Sequence, residues 1–158
     1  MKLLRCIRFD ESDTRVFPQA ATPGEWAVPG TFAFADANPE SLSRQQRQAF
    51  ANGFLGLGSF GWSTLVTVAT AEADEYEAAV AALAQHLAGH YGAPDMASAT
   101  AAAREEVDYA AALCEHPINT LLSLSRFIEG EAIREQFRVV PPPGEKLHTK
   151  IWEISPDD

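Results

Sequence analysis

The sequence predicts an α+β fold: a largely antiparallel sheet of about five or six strands, with two or three helices packed on one face. Three observations carry this. Short segments of period two, bounded by Gly and Pro, recur along the chain. Two helical stripes follow one another between residues 72 and 114 with no strand between them. The resulting order, β-β-α-β-α-α-β-β-β, lacks the regular βα alternation of a doubly wound parallel sheet.

Each element has a local reason. In "KLLRCIRF" (Lys2–Phe9), Leu3, Arg5, Ile7 and Phe9 fall on one side and Leu4, Cys6 and Arg8 on the other, which reads as a strand. "DESD" (Asp10–Asp13) reads as a solvated turn. Ala21–Gly30 holds two Pro and two Gly, so it reads as loop around a possible short strand. In "TFAFA" (Thr31–Ala35) the two Phe alternate, giving a second strand. "DANPESLSRQQRQAF" changes period: Ser41 or Ser43 can cap a helix of about three turns, with Phe50, Phe54 and Leu57 at i, i+4, i+7. Asn52–Trp62 is then a glycine-rich connection to the β-branched strand Ser63–Ala71.

The clearest helix runs from Glu72 to Tyr91, with Tyr76, Val80, Leu83, Leu87 and Tyr91 on one stripe and acids in its first turn. Gly92 and Pro94 stop it. Asp95 caps a third helix that reaches Cys114, with Met96, Ala103, Val107, Ala110 and Cys114 inward. Residues 121–140 fit two strands turning at Glu129-Gly130-Glu131 better than a helix. Pro141–Gly144 is a stiff connection, and Lys146–Ile154 alternates as a last strand. One domain spans residues 1–154, with an acidic tail at 155–158.

Composition narrows the partners. The 158 residues carry 12 Lys+Arg against 22 Asp+Glu, a net charge of −10. That disfavours nucleic acid and anionic membrane surfaces, both of which reward basic clusters. Cys6 and Cys114 cannot build a disulfide framework and fit reduced thiols in a cytoplasmic protein. The N-terminal apolar run is interrupted by Arg5 and Arg8, so it does not read as a signal peptide.

"GLGSFG" (Gly56–Gly61) matches the G-x-G-x-x-G of dinucleotide sites. That chemistry needs a strand before the first Gly and a helix N-terminus after it, to aim free N–H groups at the pyrophosphate. Here a helix precedes and a strand follows, so the physical basis is missing. The apolar residues of the segment, Phe54, Leu57, Phe60 and Trp62, either fold into the core or form a partner patch. His86 and His90 share a helix side at metal-ligand spacing, yet they lack the Glu of H-E-x-x-H; Cys114 or His116 could only join from a neighbouring helix end. Asp10, Glu11 and Asp13 lack EF-hand spacing. No nucleophile motif is present, and no catalytic residue or cofactor is assigned.

The blocks "PGEWAVPGTFAF" (Pro23–Phe34), "RQAFANGFLGLGSFGWSTLV" (Arg47–Val66) and "YGAPD" (Tyr91–Asp95) resemble a small proteobacterial protein family, a domain of unknown function with no assigned activity. The resemblance implies a cytosolic accessory role tied to maturation of a formate-dehydrogenase-type molybdoenzyme. Two functional readings follow. The first is a non-enzymatic protein-interaction protein with a protein partner or a homodimer. The second is a small enzyme or ligand-binding domain using a pocket between sheet and helices.

Overall fold

A computed structural model of the chain describes residues 1–141. In chain order the elements are β1 (Lys2–Ile7), α1 (Ser12–Val16), β2 (Trp26–Val28), two 3-10 turns (Thr31–Phe34 and Pro39–Ser41), α2 (Arg44–Asn52), β3 (Phe54–Gly56), β4 (Trp62–Ser63), β5 (Leu65–Thr70), α3 (Ala73–His90), α4 (Met96–Ala112), β6 (Leu121–Glu129) and β7 (Ala132–Val140). Among the described residues the strands form one seven-stranded sheet in the order β4-β3-β2-β1-β5-β6-β7, with every neighbouring pair antiparallel. The fold is α+β, with more strands than the sequence pattern predicts, because the glycine-rich connection itself folds into the short hairpin β3–β4.

The sheet is curled. Phe54 of β3 and Phe137 of β7 have ring centroids 6.3 Å apart although four strands lie between them in the sheet order. In a flat sheet five strand spacings would hold them about 24 Å apart. The curl encloses a core of Leu4, Cys6, Phe54, Val66, Val68, Leu122 and Leu124, closed by Val80, Leu83, Leu87, Ala103, Val107 and Ala110 of α3 and α4. The small residues of α4 let the two helices approach closely, which is why its inner face carries Ala rather than Leu. Tyr109 of α4 meets Phe137, and Arg126, on the same sheet face as Phe137 through the register Leu124↔Phe137, meets the end of α2. Thus α2 and α4 both sit against that face.

The two long helices begin and end as their sequences dictate. Glu72 and Glu75 close a capping box on α3, and Asp95 accepts from the Ser98 N–H at 2.7 Å to cap α4. Met96 occupies the first turn of α4 and is 49% exposed, so it leaves the inner stripe. The β6–β7 hairpin pairs from Leu121↔Val140 to Glu129↔Ala132 and turns through Gly130 at φ 65°.

Three local expectations are corrected. Thr31–Phe34 is a 3-10 turn, not a strand: Gly30 enters it at φ 79°, and the Thr31 hydroxyl is drawn into a buried polar network. The helix near residue 50 starts at Arg44 behind a Ser43–Gln46 capping box, the second of the two expected caps, but it stops at Asn52. Phe54 and Leu57 therefore do not continue its stripe. It stops because Gly53 lies against Trp62, where a Cβ would come within 2.9 Å of the indole. Finally, "DESD" is not a solvated turn throughout. Asp13 is buried in α1 and accepts from the Thr64 N–H (3.2 Å) and hydroxyl (2.6 Å), tying α1 to the entrance of β5. The strand expected at Lys146–Ile154 lies outside the described residues.

Candidate functional site: an aromatic face set by the glycine loop

The glycine pattern does bind an anion, but the anion is the protein's own. Glu25 follows a turn through Gly24 (φ 98°) and points its carboxylate into the loop between β3 and β4. Its Oε1 accepts from the Ser59 N–H at 2.8 Å; its Oε2 accepts from the Ser59 hydroxyl and the Thr22 N–H, both at 2.6 Å. Each glycine has a spatial reason. A Cβ on Gly56 would stand 2.6 Å from the Glu25 Cδ, and one on Gly58 2.9 Å from its Oε1. A Cβ on Gly61 would stand 2.5 Å from the Ala20 carbonyl, where Ala20 bridges Trp62. The first two glycines let a carboxylate reach backbone N–H groups, and the third lets two backbones touch.

The cradle forces the next residue into an uncommon conformation. Phe60 has φ 56°, in the left-handed region that bulky side chains rarely enter. Its ring lies against α3, half-buried at the edge of the core. The Phe60 and His86 rings stack at 3.8 Å and 4°. His90 lies 4.9 Å and Tyr91 5.5 Å from His86 between ring centroids, and Phe32 meets Tyr91 edge-on at 5.3 Å. Burial, then the neighbouring His90, hold the His86 imidazole below its ordinary 6.5. Tyr91 and His90 are exposed, while Phe32, Phe60 and His86 are half-buried. Together they form one aromatic face at the C-terminal end of α3.

Of the four residues that could form a partner patch, Phe54 and Leu57 belong to the core and are withdrawn from it. Trp62 is half-buried and turned toward Phe34, 5.2 Å away. Phe60 alone joins the outer face. Tyr91 and Phe32 enter it unannounced: Tyr91 fits the buried stripe of α3 by spacing, and Phe32 alternates with Phe34 in a segment that reads as a strand. The histidines do come together, as a pair. Among the described residues no group of three or more His, Cys, Asp or Glu is placed to hold a metal.

Other reactive groups serve the fold. Burial pushes the Cys6 thiol up to about 12, with the Glu25 and Asp13 charges adding to it, and pushes the Cys114 thiol up to about 11. The cavity beside Asp10 and Asp13 holds about 120 Å³, against roughly 300–1,000 Å³ for small-molecule sites. A larger, open hollow of about 530 Å³ lies on α2 beside Arg44 and Arg47.

The residue the sequence conceals most is Arg126. It is 4% exposed in the middle of β6. Its Nε donates to the Thr31 hydroxyl (2.7 Å), Nη1 to the carbonyls of Ala49 (3.1 Å) and Phe50 (2.8 Å), and Nη2 to those of Gly53 (2.9 Å) and Pro29. It thereby caps the negative end of α2 and the ends of β2 and β3 at once. The Thr31 hydroxyl in turn donates to Glu135, which also accepts from the Tyr109 hydroxyl at 2.6 Å. Burial lowers the Arg126 pKa to about 10, partly offset by Glu135. The guanidinium remains charged at neutral pH and locks the base on which the glycine loop stands.

No curated protein and no solved structure matches the chain. A family model does match it, over residues 1–156 of 158. By that near-complete coverage the chain belongs to the family of unknown function DUF6505.

Proposed function

We propose that this protein is a non-enzymatic cytosolic accessory protein that docks a partner protein on the Phe60–His86–Tyr91 face. The observation that carries the reading is Phe60: a bulky residue at φ 56°, half-buried at the edge of the core, stacked on His86 of α3 next to the exposed Tyr91. Left-handed backbone at a non-glycine residue costs about 1–3 kcal/mol and persists where the surroundings over-determine it. Here the neighbouring Glu25 cradle does so, and the result is a half-buried aromatic stack that borders the exposed Tyr91. Aromatic side chains at a surface are the groups that anchor protein interfaces. The groups that could otherwise do chemistry point the same way: both cysteines are held as thiols, and Asp13 and Glu25 are tied to backbone and hydroxyl donors. The resemblance in the loop blocks supplies the first partner to try, the maturation machinery of a formate-dehydrogenase-type molybdoenzyme. The test is affinity capture from the native host with the wild type and with Phe60→Ala. A partner retained by the wild type and lost by the variant supports the reading. Recovery of the wild-type protein alone at native abundance contradicts it.

A further inference from the structure

We propose that the partner segment received by this face is basic, laying a lysine or arginine side chain over the exposed Tyr91 at the edge of the Phe60–His86 stack. The inference rests on the docking reading above and adds the chemistry of the occupant.

Three features on this side of the molecule favour a cation. The first is Glu25. All its donors, the Ser59 N–H, the Ser59 hydroxyl and the Thr22 N–H, are neutral, and none of the ion pairs among the described residues involves it. Its negative charge, held by Ser59 next to Phe60 in the chain, has no ion-pair partner among the described residues. Neither Arg5 of β1 nor Arg8 just after it pairs with Glu25. Arg8 donates to the Ala21 carbonyl at 2.6 Å and pairs with Glu11, and Arg5 lies 4.4 Å from the centroid of Trp26. The second feature is the end of α3. An 18-residue helix finishes at His90, so its partial negative charge falls beside Tyr91. The third is the exposed Tyr91 ring, whose face attracts Lys and Arg within about 6 Å of its centroid. The net charge of −10 would steer such a segment from a distance.

The test uses the full chain, isotope-labelled, and two synthetic pentapeptides, one of alternating glycine and arginine and the other of alternating glycine and glutamate. The inference expects saturable NMR shifts at Ser59, Phe60, His86 and Tyr91 with the arginine peptide only. Affinity should fall about fivefold in Tyr91→Ala, the loss expected for one cation–π contact, and fall again in Glu25→Gln. Tyr91 is exposed, so its variant leaves the core untouched. Equal binding of the glutamate peptide, shifts centred on the acidic first turn of α3, or no saturable shift at these residues would each overturn it. So would concentration-dependent shifts there without peptide, which would make the occupant a second copy of the chain. If a native partner is lost with Phe60→Ala while the arginine peptide fails to bind, only the basic-segment inference falls. If the partner survives that substitution, the docking reading falls.

Discussion

Arg126 shows how much one side chain can organise. A guanidinium has five N–H donors, and here they meet five acceptors: two carbonyls of α2, those of Gly53 and Pro29, and the Thr31 hydroxyl. Replacing it by Met keeps the volume and removes the guanidinium donors from the Pro29, Phe50 and Gly53 carbonyls, while the Ala49 carbonyl keeps the Gly53 N–H. We expect Arg126→Met to cost about 3–5 kcal/mol in chemical denaturation, and Arg126→Lys to recover only part, because an ammonium cannot span five acceptors. A loss under 1 kcal/mol would mean that water replaces the guanidinium. His86 makes a smaller, pH-dependent contribution. Its folded pKa lies below 6.5 because burial penalises the imidazolium. The stability linked to it is present above that value and is lost as pH falls through the folded pKa. Thermal melts of the wild type should therefore decline more steeply below about pH 6.5 than those of His86→Phe, which keeps a ring on Phe60. Parallel declines would show that His86 is not desolvated.

At the level of elements, glycines with different surroundings make opposite predictions. Gly61 has backbone 2.5 Å from where a Cβ would lie, so Gly61→Ala should destabilise by about 1–3 kcal/mol and separate Ala20 from Trp62. Gly89, inside α3, has nothing within 4 Å, so Gly89→Ala should stabilise by about 0.5–1 kcal/mol. Denaturation midpoints of the two variants on opposite sides of the wild type would confirm the assignment. The elements legible in the sequence are those with local causes: α3 and α4 through their stripes and caps, β5 through its β-branched residues, β6–β7 through alternation about Gly130. Those that were not legible have distant causes. Thr31–Phe34 alternates like a strand, but Arg126, 95 residues away, takes its hydroxyl. Phe54 and Leu57 keep helical spacing with Phe50, but Trp62 holds the chain extended at Gly53. Glu25 carries no signal of its own; only the glycines 31 and more residues later betray that something must lie close to them.

Across the whole molecule, the G-x-G-x-x-G motif links these scales. Its glycines cradle Glu25, the cradle sets Phe60 at a left-handed φ, and Phe60 completes an aromatic face with α3 in a strongly acidic chain. Among the described residues, no helix is long and apolar enough to cross a membrane. Removing Glu25 should release the loop without unfolding the sheet: Glu25→Ala is expected to lose the Phe60–His86 stack, read as a rise of the His86 pKa by NMR, while the far-UV spectrum is retained. An unchanged His86 pKa would uncouple the cradle from the face. The most direct test of the docking account is quantitative affinity capture from the native host with wild type, Phe60→Ala and Tyr91→Ala at equal abundance. The account predicts one partner recovered stoichiometrically by the wild type and depleted at least about fivefold by either variant; equal recovery by all three proteins would contradict it.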